Sequence, residues 1–245
     1  MKGIKKTLMA GLLAFAGVEG ARAEVSSWGY GIHVSGGTSS AIGYDNDAKI
    51  GGKKAEGSFF SDMAYGANFY GECPITGYVG IGGELGWIRQ GASLEPESGK
   101  EASETSNSTD SSVSMASHNI AAGLNLCIYP LGREEGEGIL KVKLGAVAYV
   151  PLHTTYKKGS TDLTLTSEQK TKEASFDVAA LGSVGYEFPM GLVVEAGYRY
   201  GIMNKFKADQ QILTAGNTGI EGLKEVHIHN AMLSLGYNFA SLLSE

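Results

Sequence analysis

The chain is poor in the residues that build several common classes of protein, and each shortage narrows the choice. Only two of its 245 residues are cysteine, Cys73 and Cys127, too few for a small domain stapled by a disulfide framework. There are five prolines, and no segment approaches the ~18 consecutive apolar residues that mark a membrane-crossing helix. Apolar spacing at helical period is nowhere sustained. Basic residues are also in deficit, 20 against 26 acidic, for a net charge of −6. Nucleic-acid binding needs clustered Lys and Arg to neutralise phosphates, so that class of partner is excluded.

What is present begins with an export address. Lys2, Lys5 and Lys6 precede a short apolar stretch from Leu8 to Val18, and Ala21-Arg22-Ala23 supplies the small-x-small pattern of a signal-peptidase site. Residues 1–23 therefore read as a removed signal peptide, and 24–245 as one exported domain. Four basic residues stand against Glu19 within 1–23, so the remainder carries −9.

The exported part alternates with period two, the pattern of strands. Eight runs do so: 28–35, 61–72, 75–90, 114–129, 139–152, 174–188, 192–203 and 227–239. In the seventh, Leu192, Val194, Ala196, Tyr198 and Tyr200 alternate with Glu195, Gly197, Arg199 and Gly201. The connections alternate as well. Tight turns at 72–74, 130–132 and 188–191 follow the even strands, and long polar segments at 36–58, 91–112, 153–173 and 204–225 follow the odd ones. Short turns on one side and long loops on the other are what a membrane barrel requires. A soluble sandwich has no reason to keep that order.

Which face points outward follows from composition. The polar face combines abundant Gly with isolated charges of both signs, which suits the cramped interior of an eight-stranded barrel. The apolar face carries Trp28, Trp87, Tyr198, Tyr200, Tyr237 and Phe239 near strand ends, where aromatic rings form girdles at the two bilayer interfaces. The fold expected is all-β, an eight-stranded antiparallel up-and-down transmembrane β-barrel with short periplasmic turns and long extracellular loops, in a bacterial outer membrane. In hydrocarbon an unpaired backbone group costs several kcal/mol, so such a sheet must close on itself.

These runs resemble the small outer-membrane barrel superfamily that includes the OmpA transmembrane domain, OmpX-type proteins and opacity-like surface proteins. The run 233–239, LSLGYNF, is similar to the terminal β-signal that such proteins present to the barrel-assembly machinery, although six residues follow Phe239 here. The resemblance implies outer-membrane lipid and lipopolysaccharide as surroundings. It also implies a non-enzymatic surface role, structural in the envelope or adhesive through loops that bind a host or environmental ligand. A narrow porin-like channel is the alternative, and a lipid A-modifying enzyme ranks third.

Candidate sites are few. Glu84, Lys143, Glu195 and Arg199 share the inward face and are expected to form a lumenal ion-pair network, because an unpaired buried charge is costly. His118, His153, His227 and His229 lie toward the loop ends, but no Ser follows His227 or His229 at two residues, the spacing of the barrel deacylases. Parity turns both toward lipid. The Gly-rich run 80–86 lies within a strand and lacks a phosphate-loop Lys-Ser/Thr. No catalytic group, metal site or cofactor is expected. A Cys73–Cys127 bridge is conceivable in an oxidising compartment, although the two lie on strands that are not neighbours.

Overall fold

The computed structural model describes residues 28–42, 49–50, 53–57, 62–96, 112–133, 137–159, 161–163, 176–203, 220–221 and 226–242. The expected signal peptide and most of the four long loops lie outside them. Eight strands form the barrel: β1 (Gly29–Ile42), β2 (Asp62–Pro74), β3 (Val79–Pro96), β4 (Val113–Ile128), β5 (Ile139–Lys158), β6 (Asp177–Glu187), β7 (Leu192–Gly201) and β8 (His227–Asn238). Every strand pairs antiparallel with its neighbours in chain order, and β1 pairs with β8 from Gly31↔Asn238 to Ile42↔His227. The sheet therefore closes. Short ribbons extend it beyond the outer rim. Lys53–Gly57 pairs with the end of β3 and with Lys49–Ile50, which pairs in turn with Ile220–Glu221, while Thr161–Leu163 pairs with the end of β5.

The distribution of side chains is inverted relative to a soluble protein. Aliphatic and aromatic residues ring the outside, among them Val34, Phe69, Leu124 and Leu233, the last two 67% exposed. Lys141, Glu72 and Arg199 are buried within. A continuous greasy belt over charged contents is unstable in water and stable only against lipid. The aromatic rings fall at two heights. Trp28, Tyr237 and Phe239 lie at the turn end, where Tyr30 and Tyr237 each approach Phe239, at 6.3 and 5.8 Å. Trp87, Tyr198 and Tyr200 lie toward the loop end. From Tyr237, opposite Leu192, to His229, opposite Tyr200, is eight residues of β8. That is ~27 Å along the strand and roughly 20 Å along the axis at a ~40° tilt, close to the usual apolar band.

The turn end is built locally. Tyr129 and Phe188 each begin an X-Pro-X-Gly turn, and their carbonyls accept from Gly132 N at 3.0 Å and Gly191 N at 2.8 Å. Both glycines have positive φ, +80° and +86°, which other residues adopt only with strain. The β2–β3 turn lies at 75–78, later than the expected 72–74, because β2 continues through Pro74. Thr76 Oγ1 fixes it by accepting from Tyr78 N and Val79 N at 3.2 and 3.0 Å. After β8 the chain turns back in a single 3-10 turn, Phe239–Leu242, so the residues beyond the expected β-signal begin under the barrel floor.

Three strands run further outward than alternation suggested: β1 to Ile42, β3 to Pro96 and β5 to Lys158. Above the lipid no apolar face is needed, so backbone pairing continues after the periodic pattern has ended. Just before its extension β5 passes Pro151, which lacks an N–H for the ladder. A register shift opposite His118/Asn119 leaves Leu152 unpaired between Pro151 and His153. A bulge is one of the few places where a strand tolerates proline.

Candidate functional site

The lumen contains three layers. At the turn end, charges alternate along a chain. Lys141 Nζ lies 2.6 Å from Glu187 and 2.7 Å from Glu72; Lys143 Nζ lies 3.4 Å from Glu72 and 2.7 Å from Glu195. Three carboxylates thus share two ammonium groups. Asn238 ties the free end of the chain to the floor, its Nδ2 donating to Glu187 Oε1 at 2.7 Å and its Oδ1 accepting from Tyr30 N at 3.1 Å and Ala240 N at 3.0 Å. Lys143 also sits 5.4 Å from the Tyr70 ring centroid, and Tyr70 stacks on His33 at 4.2 Å. Those bulky groups fit because Gly31 and Gly236 face them: a Cβ on Gly31 would strike Tyr70 and the Tyr237 carbonyl, and one on Gly236 would strike His33. Beneath them, at the start of the β4–β5 turn, Tyr129 is fully buried, and that burial pushes its phenol well above the ordinary tyrosine range.

A separate pair lies higher, Arg199 Nη2 to Glu84 Oε1 at 2.9 Å. An apolar layer gathers at the height of Arg199, which stands opposite Leu181 on β6. Ala64, Ile88, Ala121, Val147, Tyr149, Ala179, Leu181 and Met232, from six of the eight strands, form one buried cluster. The third layer is polar and mostly uncharged, with the buried Asp177 carboxylate at the start of β6. Asn230 Nδ2 donates to Gln90 Oε1 at 2.9 Å, Ser117 Oγ to Asn119 Oδ1 at 3.0 Å, and Ser39 Oγ to the Gly91 carbonyl at 2.5 Å.

The four charges singled out from the sequence are therefore brought together in pairs, Lys143 with Glu195 and Arg199 with Glu84, and the pairs belong to different clusters. The sequence reading missed Glu72, Lys141 and Glu187 as members. All three lie on the polar face by parity. Their meeting across the lumen depends on the stagger of the strands, which parity does not encode.

The cysteine bridge is corrected. Cys73 and Cys127 are both free. Cys73 is opposite Ile81 on the lipid face of the β2–β3 pair, whereas Cys127 is opposite Gly80 on the lumen side of β3–β4. The sheet itself stands between the two thiols. Cys127 Sγ donates instead to Asn125 Oδ1 at 3.1 Å.

At the outer rim, His227 and His229 are on the outward face. His229 is buried between Tyr200, 4.3 Å away edge-on, and Tyr198, whose hydroxyl lies 3.0 Å from Nδ1. His118 is paired with His153 across β4–β5 and stacks on Trp87 at 5.5 Å. Among the described residues no three His, Cys, Asp or Glu side chains converge as metal ligands. Also on the outward face, a cleft of about 360 Å³ is lined by Asp62, Arg89, Ser93, Ser114, Ala116, His118, Thr155 and Lys157.

Solved structures with a similar trace include three outer-membrane or surface proteins. Ail, the attachment invasion locus protein of Yersinia pestis, is 13% identical, with 87% of this chain and 100% of that one covered at a TM-score of 0.39. For OprG from Pseudomonas aeruginosa the values are 12%, 86%, 94% and 0.42, and for Neisserial surface protein A they are 11%, 87%, 100% and 0.42. No curated protein matches the sequence. The family model described as outer membrane protein beta-barrel domain matches residues 22–207, three quarters of the chain. The protein belongs to that family and is a barrel of the bacterial outer membrane.

Proposed function

We propose that the protein is a non-enzymatic surface barrel whose lumen is a structural plug, and that it acts in the envelope or in adhesion through its extracellular segments. The observation that carries this reading is the layered filling of the lumen. A conducting pore needs a continuous polar path, and here an apolar layer from six strands lies above an ion-paired one. Charges held within 3 Å of one another in a confined space serve each other before they serve a passing ion. The ligand-binding surface is then outside, on loops borne by a rigid scaffold. Lipopolysaccharide and outer-membrane lipid are its surroundings, and the barrel-assembly machinery is its partner during insertion.

Planar-bilayer recording tests the plug. Wild-type barrels are expected to give no steady single-channel current. Large, sustained openings would favour the narrow-channel reading, and loss of binding to cells or matrix after loop deletion would support the adhesive one.

A further inference from the structure

The outward face of β3, β4 and β5 changes character at one height. Up to Trp87, Ile120 and Val150 it is apolar; immediately above come Arg89, His118 and His153, then Ser93, Ser114, Thr155 and Lys157. That switch coincides with the outer aromatic girdle, so the cleft between these polar residues stands where the headgroups of outer-leaflet lipids lie. The groove belongs to the lipid-facing wall and not to the lumen.

Arg89 is prepared for an anion. Its guanidinium has five N–H donors. Nη1 donates to Asp62 Oδ1 at 3.1 Å and to the Met63 carbonyl, and Nη2 donates to Asp62 Oδ2 at 3.3 Å. Those bonds occupy the end of the fork. Nε–H and the second Nη2–H take no partner among the described residues, and they are the side-on pair that grips a phosphate or carboxylate with two parallel bonds. The Tyr65 ring, 5.7 Å from Cζ, helps hold the group in place. Asp62 is the one carboxylate lining the cleft, and it engages the end of the guanidinium, adjacent to the side-on edge. Lys157 adds a second cation. Its exposed contact with Asp162, 3.5 Å long, is weak and readily exchanged.

We propose that this cleft binds the phosphate of an outer-leaflet lipid headgroup, with the side-on fork of Arg89 as the bidentate donor and Lys157 as the supporting charge. The proposal needs only the membrane orientation. A conducting lumen would overturn the plug and leave this site untouched.

The test is native mass spectrometry of the full-length folded barrel released from phosphatidylcholine nanodiscs doped with bisphosphorylated lipid A. Wild type should retain that lipid in preference to its dephosphorylated form. Arg89→Gln should lower retention about tenfold, the effect of ~1.4 kcal/mol. Lys157→Gln, which leaves the Asp62–Arg89 pair intact, should lower it less. Heat-modifiable migration on gels identifies folded variants. Equal retention of the dephosphorylated lipid, unchanged retention by folded Arg89→Gln, or equal capture of inorganic phosphate alone would each overturn the proposal.

Discussion

Replacing Lys141 by Met tests the physical account of the lumen most directly. Lys141 Nζ is the sole ion partner of Glu187 among the described residues and the nearer of two for Glu72. The substitution keeps an unbranched chain of similar length and removes one charge. Glu72 keeps Lys143 at 3.4 Å, but Glu187 keeps only the Asn238 amide. Stranding one member of a buried pair costs about 3–5 kcal/mol. An ordinary carboxylate can escape by taking up a proton, at about 4 kcal/mol at pH 7, which caps the penalty. A loss of roughly 3–4 kcal/mol is therefore expected in urea unfolding of the barrel reconstituted in vesicles, followed by tryptophan fluorescence. Adding Glu187→Gln should restore more than half of it, because the stranded charge is then gone. A loss below about 1 kcal/mol, or no recovery in the double variant, would mean that water reaches this layer and that the lumen is no plug.

Two glycines make a paired comparison. A Cβ at Gly86 would strike the Ala67 carbonyl and Asn68, whereas nothing lies within 4 Å of one at Gly71, on the lipid side. Gly86→Ala should cost about 1–3 kcal/mol and Gly86→Val should block folding, while Gly71→Val should change stability by about 0.5 kcal/mol or less in the same unfolding assay. The thiols make another. Cys127 is fully buried and Cys73 is partly open at the turn-end rim, so maleimide should modify one thiol in the folded barrel and two after denaturation, with or without prior reduction. Denatured protein with no reactive thiol before reduction and two after it would restore the bridge.

The eight strands were legible because lipid on one side and a crowded lumen on the other impose period two at every position between the girdles. Beyond the outer girdle both faces meet polar surroundings, the constraint vanishes, and so the ends of β1, β3 and β5 were placed too low. Pro151 already lay inside the expected run 139–152; a bulge of one residue at Leu152 carries the strand on to Lys158. The inward charges were legible as a set. Their pairing was not, since Glu72 finds Lys141 across the cylinder, sixty-nine positions away, through a stagger that only closure fixes. The cysteines illustrate the same limit: their separation in strands was readable, and their separation by a sheet became plain only from register.

Among the described residues the strands rise to unequal heights: β3, β4 and β5 climb to Pro96, Val113 and Lys158, above the lipid boundary. A neighbour that drifts in the same leaflet against this flank meets a standing palisade of paired backbone, stiff where a single strand would yield.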